Sequence, residues 1–206
     1  RRPTTVGGRL QVEPKELAQL LGRLVFASQV MPGGRTFMLS MMRSFAGLRV
    51  DWKRGAVKTN EGPWRSMWVE GGFWRDLEWL RDHLGVRNCV PIETRPRAEA
   101  YVAGTDASGW GTGQLVWIDG HREETAMQFG EAEQRRPINW RELLGIVRVL
   151  EVWGRRLEGR ALLIETDNMT ACTCAKKKKA KSEDMQELIR RLLVMCERHD
   201  IDLRLT

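Results

Sequence analysis

The sequence predicts an α/β protein: a mixed five-stranded sheet with flanking helices over residues 96–206, preceded by a small helical domain over residues 1–95. Three observations carry this. Residues 101–118 read as two strands joined through Gly109, Gly111 and Gly113, and Asp119-Gly120 is a two-residue hairpin signal for a third strand over residues 121–129. Two later apolar strands, residues 161–165 and 201–205, are separated by helical segments, as in sheets that also contain parallel pairs. Before residue 96 the apolar residues recur mainly at helical spacing.

The first twelve residues hold Pro3, Gly7 and Gly8 and few apolar side chains, which predicts an extended arm. Pro14 then opens a helix with the stripe Leu17, Leu20, Leu21, Leu24 and Val25, ended by Pro32-Gly33-Gly34. Phe37, Met38, Met41, Met42, Phe45 and Leu48 repeat that spacing, so an antiparallel helical hairpin with a methionine-rich core face is expected. Residues 49–63 read as a loop. A third helix is lined by Trp68, Phe73, Trp74, Leu77, Leu80 and Leu84, with Gly71-Gly72 able to delay its start. Residues 86–99, with Pro91 and Pro96, make the domain boundary.

In the second domain, residues 101–105 deliver Asp106 to a strand end, and the glycines let the backbone reverse close to that carboxylate. After a polar connection over residues 130–137, residues 139–157 read as a helix burying Leu143, Ile146, Val147, Leu150 and Trp153, with Gly159 as its stop. The strand at residues 161–165 should run parallel to the first through a right-handed crossover. Helices are expected at residues 168–175 and 183–198, and an edge strand at 201–205.

With 206 residues and 42% hydrophobic content, the chain can build real cores and is not a disordered sequence. It holds 34 Lys and Arg against 27 Asp and Glu, a net charge of +7, which favours a polyanionic partner such as nucleic acid; a basic surface with no dedicated partner is the plain alternative. Cys89, Cys172, Cys174 and Cys196 show no zinc-ligand spacing, and free thiols in a reducing intracellular compartment are expected, with nucleus, cytoplasm and mitochondrion left open. The chain starts at Arg1 rather than Met, so any targeting segment is expected upstream of it. No apolar run approaches the ~18 residues that span a bilayer, so no membrane partner is expected. His83, His121 and His199 are isolated, without a nucleophile partner for a triad.

Three acids stand out in order: Asp106 on a strand, Glu142 on a helix, and Asp167 at a strand end. Each has a local alternative. Asp106 could cap the turn with Ser108 and Gly109, Asn139 and Glu142 have capping-box spacing, and Asp167 could start a helix.

The segments that hold these acids are Thr105-Asp106-Ala107-Ser108 with Gly109-Trp110-Gly111, Ile138-Asn139-Trp140-Arg141-Glu142-Leu143, and Glu165-Thr166-Asp167-Asn168. Taken in order, they resemble the ribonuclease H (RNase H) domain of reverse transcriptases from DIRS-type retroelements, over about residues 97–206. The run Leu20-Leu21-Gly22-Arg23-Leu24-Val25-Phe26-Ala27-Ser28-Gln29 resembles the connection or thumb-like segment before that domain. No Tyr-x-Asp-Asp motif occurs, so nucleotide addition is excluded for this chain.

The resemblance implies a mixed RNase H-like sheet and two divalent cations held by Asp106, Glu142 and Asp167 as catalytic residues, with Asp106 bridging. Three carboxylates brought together repel without cations, and hard oxygen donors suit Mg2+ or Mn2+. The implied reaction is hydrolysis of the RNA strand of an RNA/DNA hybrid. The family carries a fourth carboxylate beyond the last strand. The chain stops at Thr206, and Asp200 and Asp202 do not match, so a C-terminally truncated domain with an incomplete site is expected. The rival expectation is a catalytically silent RNA-binding subunit of a ribonucleoprotein such as a mitochondrial ribosome. Lys176, Lys177, Lys178, Lys179 and Lys181 are read either as RNA-phosphate contacts or as a solvated charged loop. Trp110 and Trp140, beside the acids, are rim aromatics or base-stacking platforms.

Overall fold

Short strands alternate with helices in the first part of the chain: Thr4–Val6 (β1), Arg9–Val12 (β2), Pro14–Ala27 (α1), Leu39–Arg43 (α2), Arg49–Asp51 (β3), Ala56–Thr59 (β4), Gly62–Trp64 (β5), Met67–Trp68 (β6) and Phe73–Leu84 (α3). The computed structural model describes residues 4–6, 9–31, 33–51, 53–59, 62–64, 67–69, 72–86 and 100–206. Two compact units divide the chain, Arg1–Ile92 and Glu93–Thr206. Cys89, Gly71, Pro32, and the expected boundary with Pro91 and Pro96 lie outside the described residues.

The first unit holds the expected helices and, between them, strands that the sequence reading omits. The arm is a β1–β2 hairpin extended by β6, and the expected loop over residues 49–63 is the antiparallel meander β3-β4-β5. Pro14 sits at the start of α1, where its missing N–H costs nothing, and Leu17, Leu21 and Leu24 are buried. The methionine-rich segment is a 3-10 turn, Gly34–Met38, leading into the five-residue α2 rather than one long helix. Met38 and Met41 fill the core, whereas Met42 is exposed. Trp68 belongs to β6, and α3 starts only at Phe73, after Gly72. Buried Asp76 accepts a hydrogen bond from the Ser40 N–H at 3.0 Å, tying α3 to α2, and Phe37 stacks on Trp79.

The second unit runs Ala100–Ala107 (β7), Gly111–Ile118 (β8), His121–Gln128 (β9), Glu131–Gln134 (α4), Ile138–Trp153 (α5), Ala161–Glu165 (β10), Met169–Lys177 (α6), Glu183–Arg198 (α7) and Asp202–Leu205 (β11). Its sheet has the order β11-β10-β7-β8-β9. β7, β8 and β9 pair antiparallel, while β10 is parallel to both β7 and β11. This is the mixed five-stranded sheet with flanking helices that the sequence predicts. Asp119 and Gly120 both adopt positive φ, 52° and 79°, the geometry that a two-residue hairpin turn needs, and Ile118 pairs with His121.

Alternation decides which sheet face is covered. Ala103, Thr105 and Ala107 of β7, Val116 and Ile118 of β8, and Leu162 and Ile164 of β10 are buried. α5 packs across β7 and β8, and α6 and α7 pack against α5. Helix α5 is thus enclosed, with residues 142–150 all buried, and each buried Leu, Ile or Val contributes roughly 1.5–3 kcal/mol. Gly145 permits the close approach: a Cβ there would lie 2.4 Å from Thr105 Oγ1. Arg148, buried in this layer, donates to Glu133, Thr112 Oγ1 and the Met127 carbonyl, so its charge is paired across α4, β8 and β9.

Helix α5 ends at Trp153 with Gly154 as its cap, four residues short of the expected end; Gly159, at φ 73°, lies in the turn that follows, where its N–H donates to the His199 carbonyl.

Candidate active site

Asp106 lies inside β7 at the sheet's uncovered face, one residue before the strand ends, and pairs with Gly113 of β8. Glycine opposite leaves the carboxylate exposed. Asp167 lies two residues past the end of β10, and β10 lies parallel to β7, so both strands bring their acids to one end of the sheet. Glu142 comes from the other side, on α5, and is buried. The three carboxylates each offer an oxygen within 4.8 Å of the others. A cleft of about 900 Å³ includes Asp106, Asp167, Gly104, Gly113, Leu115 and Glu165 in its lining.

None of the three acids serves the local role that its sequence context offers. Ser108, not Asp106, caps the turn after β7: its Oγ accepts from the N–H groups of Trp110 and Gly111. The N-cap of α5 is Pro137, which places Asn139 at the second helical position and Glu142 at the fifth, so the two cannot form a capping box. The N-cap of α6 is Asn168, whose Oδ1 accepts from the Ala171 N–H at 2.9 Å, leaving Asp167 outside the helix.

The cluster is held by its surroundings. The Ala107 N–H donates to Asp106 Oδ1 at 2.8 Å and to Glu142 Oε1 at 3.3 Å, so one backbone donor orients two of the acids. Asn168 Nδ2 donates to Asn139 Oδ1 at 3.0 Å, clasping the start of α5 to the turn that carries Asp167. Arg141, beside Glu142, donates to the Ser108 carbonyl at 2.8 Å and fastens α5 to the end of β7. Sequence reasoning missed the Asn139 clasp and the Arg141 tie, because both partners are about thirty residues away and leave no local pattern.

Electrostatics mark Glu142. Burial, then the neighbouring Asp106 carboxylate, pushes its carboxyl from 4.5 up to about 7; the Ala107 N–H opposes this, Asp167 adds to it, and Arg141 offsets part. Its Oε2 is buried with no hydrogen-bond partner among the described residues. An orphaned buried carboxylate oxygen beside two exposed carboxylates is a poor arrangement for a bare protein and fits a divalent cation, whose hard charge takes such donors.

The five lysines lie elsewhere in the fold. Lys176 and Lys177 close α6, Lys178 is its left-handed cap at φ 53°, and all five are exposed. Their loop is anchored by buried Ala180, whose N–H donates to Gln186 Oε1 at 2.7 Å. Trp140 is half-buried, its indole N–H donating to the Asp184 carbonyl, while Trp110 is 79% exposed. Cys172, Cys174 and Cys196 are free thiols, and burial pushes Cys196 up to about 12.

RNase H1 from the halophilic archaeon Halobacterium salinarum NRC-1 is similar over 52% of this chain and 84% of its own, at 15% identity and a TM-score of 0.43. LC11-RNase H1, isolated from compost, is similar over 52% of this chain and 82% of its own, at 19% identity and a TM-score of 0.40. The foamy viral protease-reverse transcriptase, solved in complex with an RNA/DNA hybrid, is similar over 93% of this chain and 24% of its own, at 14% identity and a TM-score of 0.36. No curated protein matches the chain. Residues 97–195 match the family described as the RNase H-like domain found in reverse transcriptase.

Proposed function

We propose that this chain binds RNA/DNA hybrids and hydrolyses the RNA strand, with Asp106, Glu142 and Asp167 holding two divalent cations, Mg2+ or Mn2+. The observation that carries the reading is the gathered acid cluster, in which Glu142 keeps a buried oxygen without a partner while none of the acids caps a turn or helix. When bound, such ions activate water at neutral pH and stabilise the leaving oxygen, so no side-chain nucleophile is required. The chain's own part is positional. The Ala107 N–H aims Asp106 and Glu142, the Asn139–Asn168 clasp holds Asp167 against α5, and Lys176, Lys177, Lys178, Lys179 and Lys181 attract the phosphate backbone. The Gly109-Trp110-Gly111 and Ile138-Asn139-Trp140-Arg141-Glu142-Leu143 segments support an origin in a DIRS-type retroelement.

The test is Asp106→Asn in a cleavage assay on a labelled hybrid with Mg2+. Asn can still accept from the Ala107 N–H but lacks the charge that holds a cation, so cleavage should vanish while hybrid binding without metal persists. Cleavage by the variant at the wild-type rate would sink the assignment. The net charge of +7 and the five exposed lysines favour a second reading, a silent RNA-binding subunit of a ribonucleoprotein. Salt-sensitive RNA binding by a wild type that cleaves nothing would select it.

A further inference from the structure

Arg141 stands one residue before Glu142 on α5, and its guanidinium makes no ion pair among the described residues. Arg148, on the same helix, offers the contrast: it lies over the same Phe129 ring, at 5.2 Å, but is neutralised by Glu133. Arg141 instead donates from one terminal nitrogen to the Ser108 carbonyl at 2.8 Å and rests 5.8 Å from the centre of the Phe129 ring. Its Nε is buried with no hydrogen-bond partner among the described residues. A partly buried cation with an orphaned N–H and no carboxylate of its own is an expensive way to decorate a helix. The charge that it does feel belongs to the acid cluster, where it acts on Glu142.

Asp106 and Glu142 come from different elements, so their spacing depends on how the end of β7 is held to α5. Among the described residues two hydrogen-bonded ties do this. The first uses the acids themselves: the Ala107 N–H donates to Asp106 at 2.8 Å and to Glu142 at 3.3 Å. A carboxylate that turns toward a cation weakens that tie. The second, from Arg141 to the Ser108 carbonyl, involves no carboxylate and grips the backbone one residue beyond the end of β7. It holds strand to helix in the same way whether the acids are bare or engaged.

We infer that Arg141 is a positioning residue of the cation site, a strut through the Ser108 carbonyl that keeps Asp106 of β7 and Glu142 of α5 at the spacing a pair of divalent cations requires. This rests on the metal-centre reading above. Position and charge pull in opposite directions here, because a guanidinium beside the cluster repels the cations that the cluster attracts. The sign of a single substitution therefore separates the two.

The experiment titrates the full chain with Mn2+ and follows uptake and line shape by electron paramagnetic resonance. Loaded wild type should show spin coupling between neighbouring ions. Arg141→Met fills similar space without charge or donor; it should bind Mn2+ roughly 10- to 100-fold more weakly and lose the coupled signal, the scale seen when groups that orient metal ligands are removed. Arg141→Lys keeps a donor on a shorter stem without the planar fork, and should fall between Met and wild type. Tighter Mn2+ binding by the Met variant with the coupled signal retained would overturn the strut and show that Arg141 acts only through its charge. Wild-type affinity and line shape in both variants would overturn it as well. If the Met variant gives no cooperative melt in EDTA, the Lys variant decides, and unchanged Mn2+ binding there would overturn the inference. In each of these cases the metal centre itself stands, whereas a wild type that takes up no Mn2+ would remove both.

Discussion

Replacing Glu142 with Gln removes a charge from a buried position but keeps the oxygen that accepts from the Ala107 N–H. Burial first, and Asp106 second, raise the Glu142 carboxyl from 4.5 to about 7 in the folded protein. Between those values the folded chain keeps a proton that the unfolded chain has released. The stabilisation from that proton is complete below about pH 4.5 and is lost as pH rises through about 7. The displacement corresponds to at most roughly 3 kcal/mol, and solvent on the open side of the cluster screens it to about 2 kcal/mol. Without metal, the Gln variant should therefore melt roughly 5–10 °C higher than wild type at pH 8.5 and at the same temperature at pH 4. Thermal melts followed by circular dichroism in EDTA measure this, and added Mg2+ should then raise the melting temperature of wild type alone. A residue that merely capped a helix would instead cost ~1 kcal/mol at both pH values. A variant melting at or below wild type at pH 8.5 would refute the reasoning.

Gly145→Ala should destabilise the protein by about 1–3 kcal/mol in urea titrations, because its methyl would lie 2.4 Å from Thr105 Oγ1; an unchanged midpoint would mean that α5 can lift from the sheet at little cost. Changing Lys176, Lys177, Lys178, Lys179 and Lys181 together to Ala should weaken single-stranded RNA binding whatever its sequence and flatten the slope of log K against log salt by about 3 units if all five touch phosphate. An unaltered slope would leave them as solvated surface.

The second unit was the more legible of the two because its elements are long enough to show a period. β7, β8 and β9 each run eight residues, and the Asp119-Gly120 turn states the hairpin outright. The expected helix over residues 183–198 has the observed limits of α7, where Ser182 Oγ accepts from the Met185 N–H and an apolar stripe follows. In the first unit the strands are two to four residues long, too short for alternation to be distinguished from loop composition. At the site, Asp106, Glu142 and Asp167 could be named from the sequence, but their local alternatives could not be dismissed there. That α5 already starts at Ile138, and that the Asn139 side chain engages Asn168 instead of capping the helix, follow from the fold and not from neighbouring residues. The raised carboxyl of Glu142 likewise depends on burial and then on Asp106, neither of which is visible in neighbouring residues.

The cation site itself is tested most directly by Mn2+ uptake, read from the loss of the free-ion electron paramagnetic resonance signal as protein is added at pH 7.5. The wild-type chain should take up Mn2+, and Asp106→Asn and Asp167→Asn should each abolish most of that uptake while melting no lower than wild type does in EDTA. Equal uptake by wild type and both variants would contradict the assignment of Asp106, Glu142 and Asp167 as a metal centre.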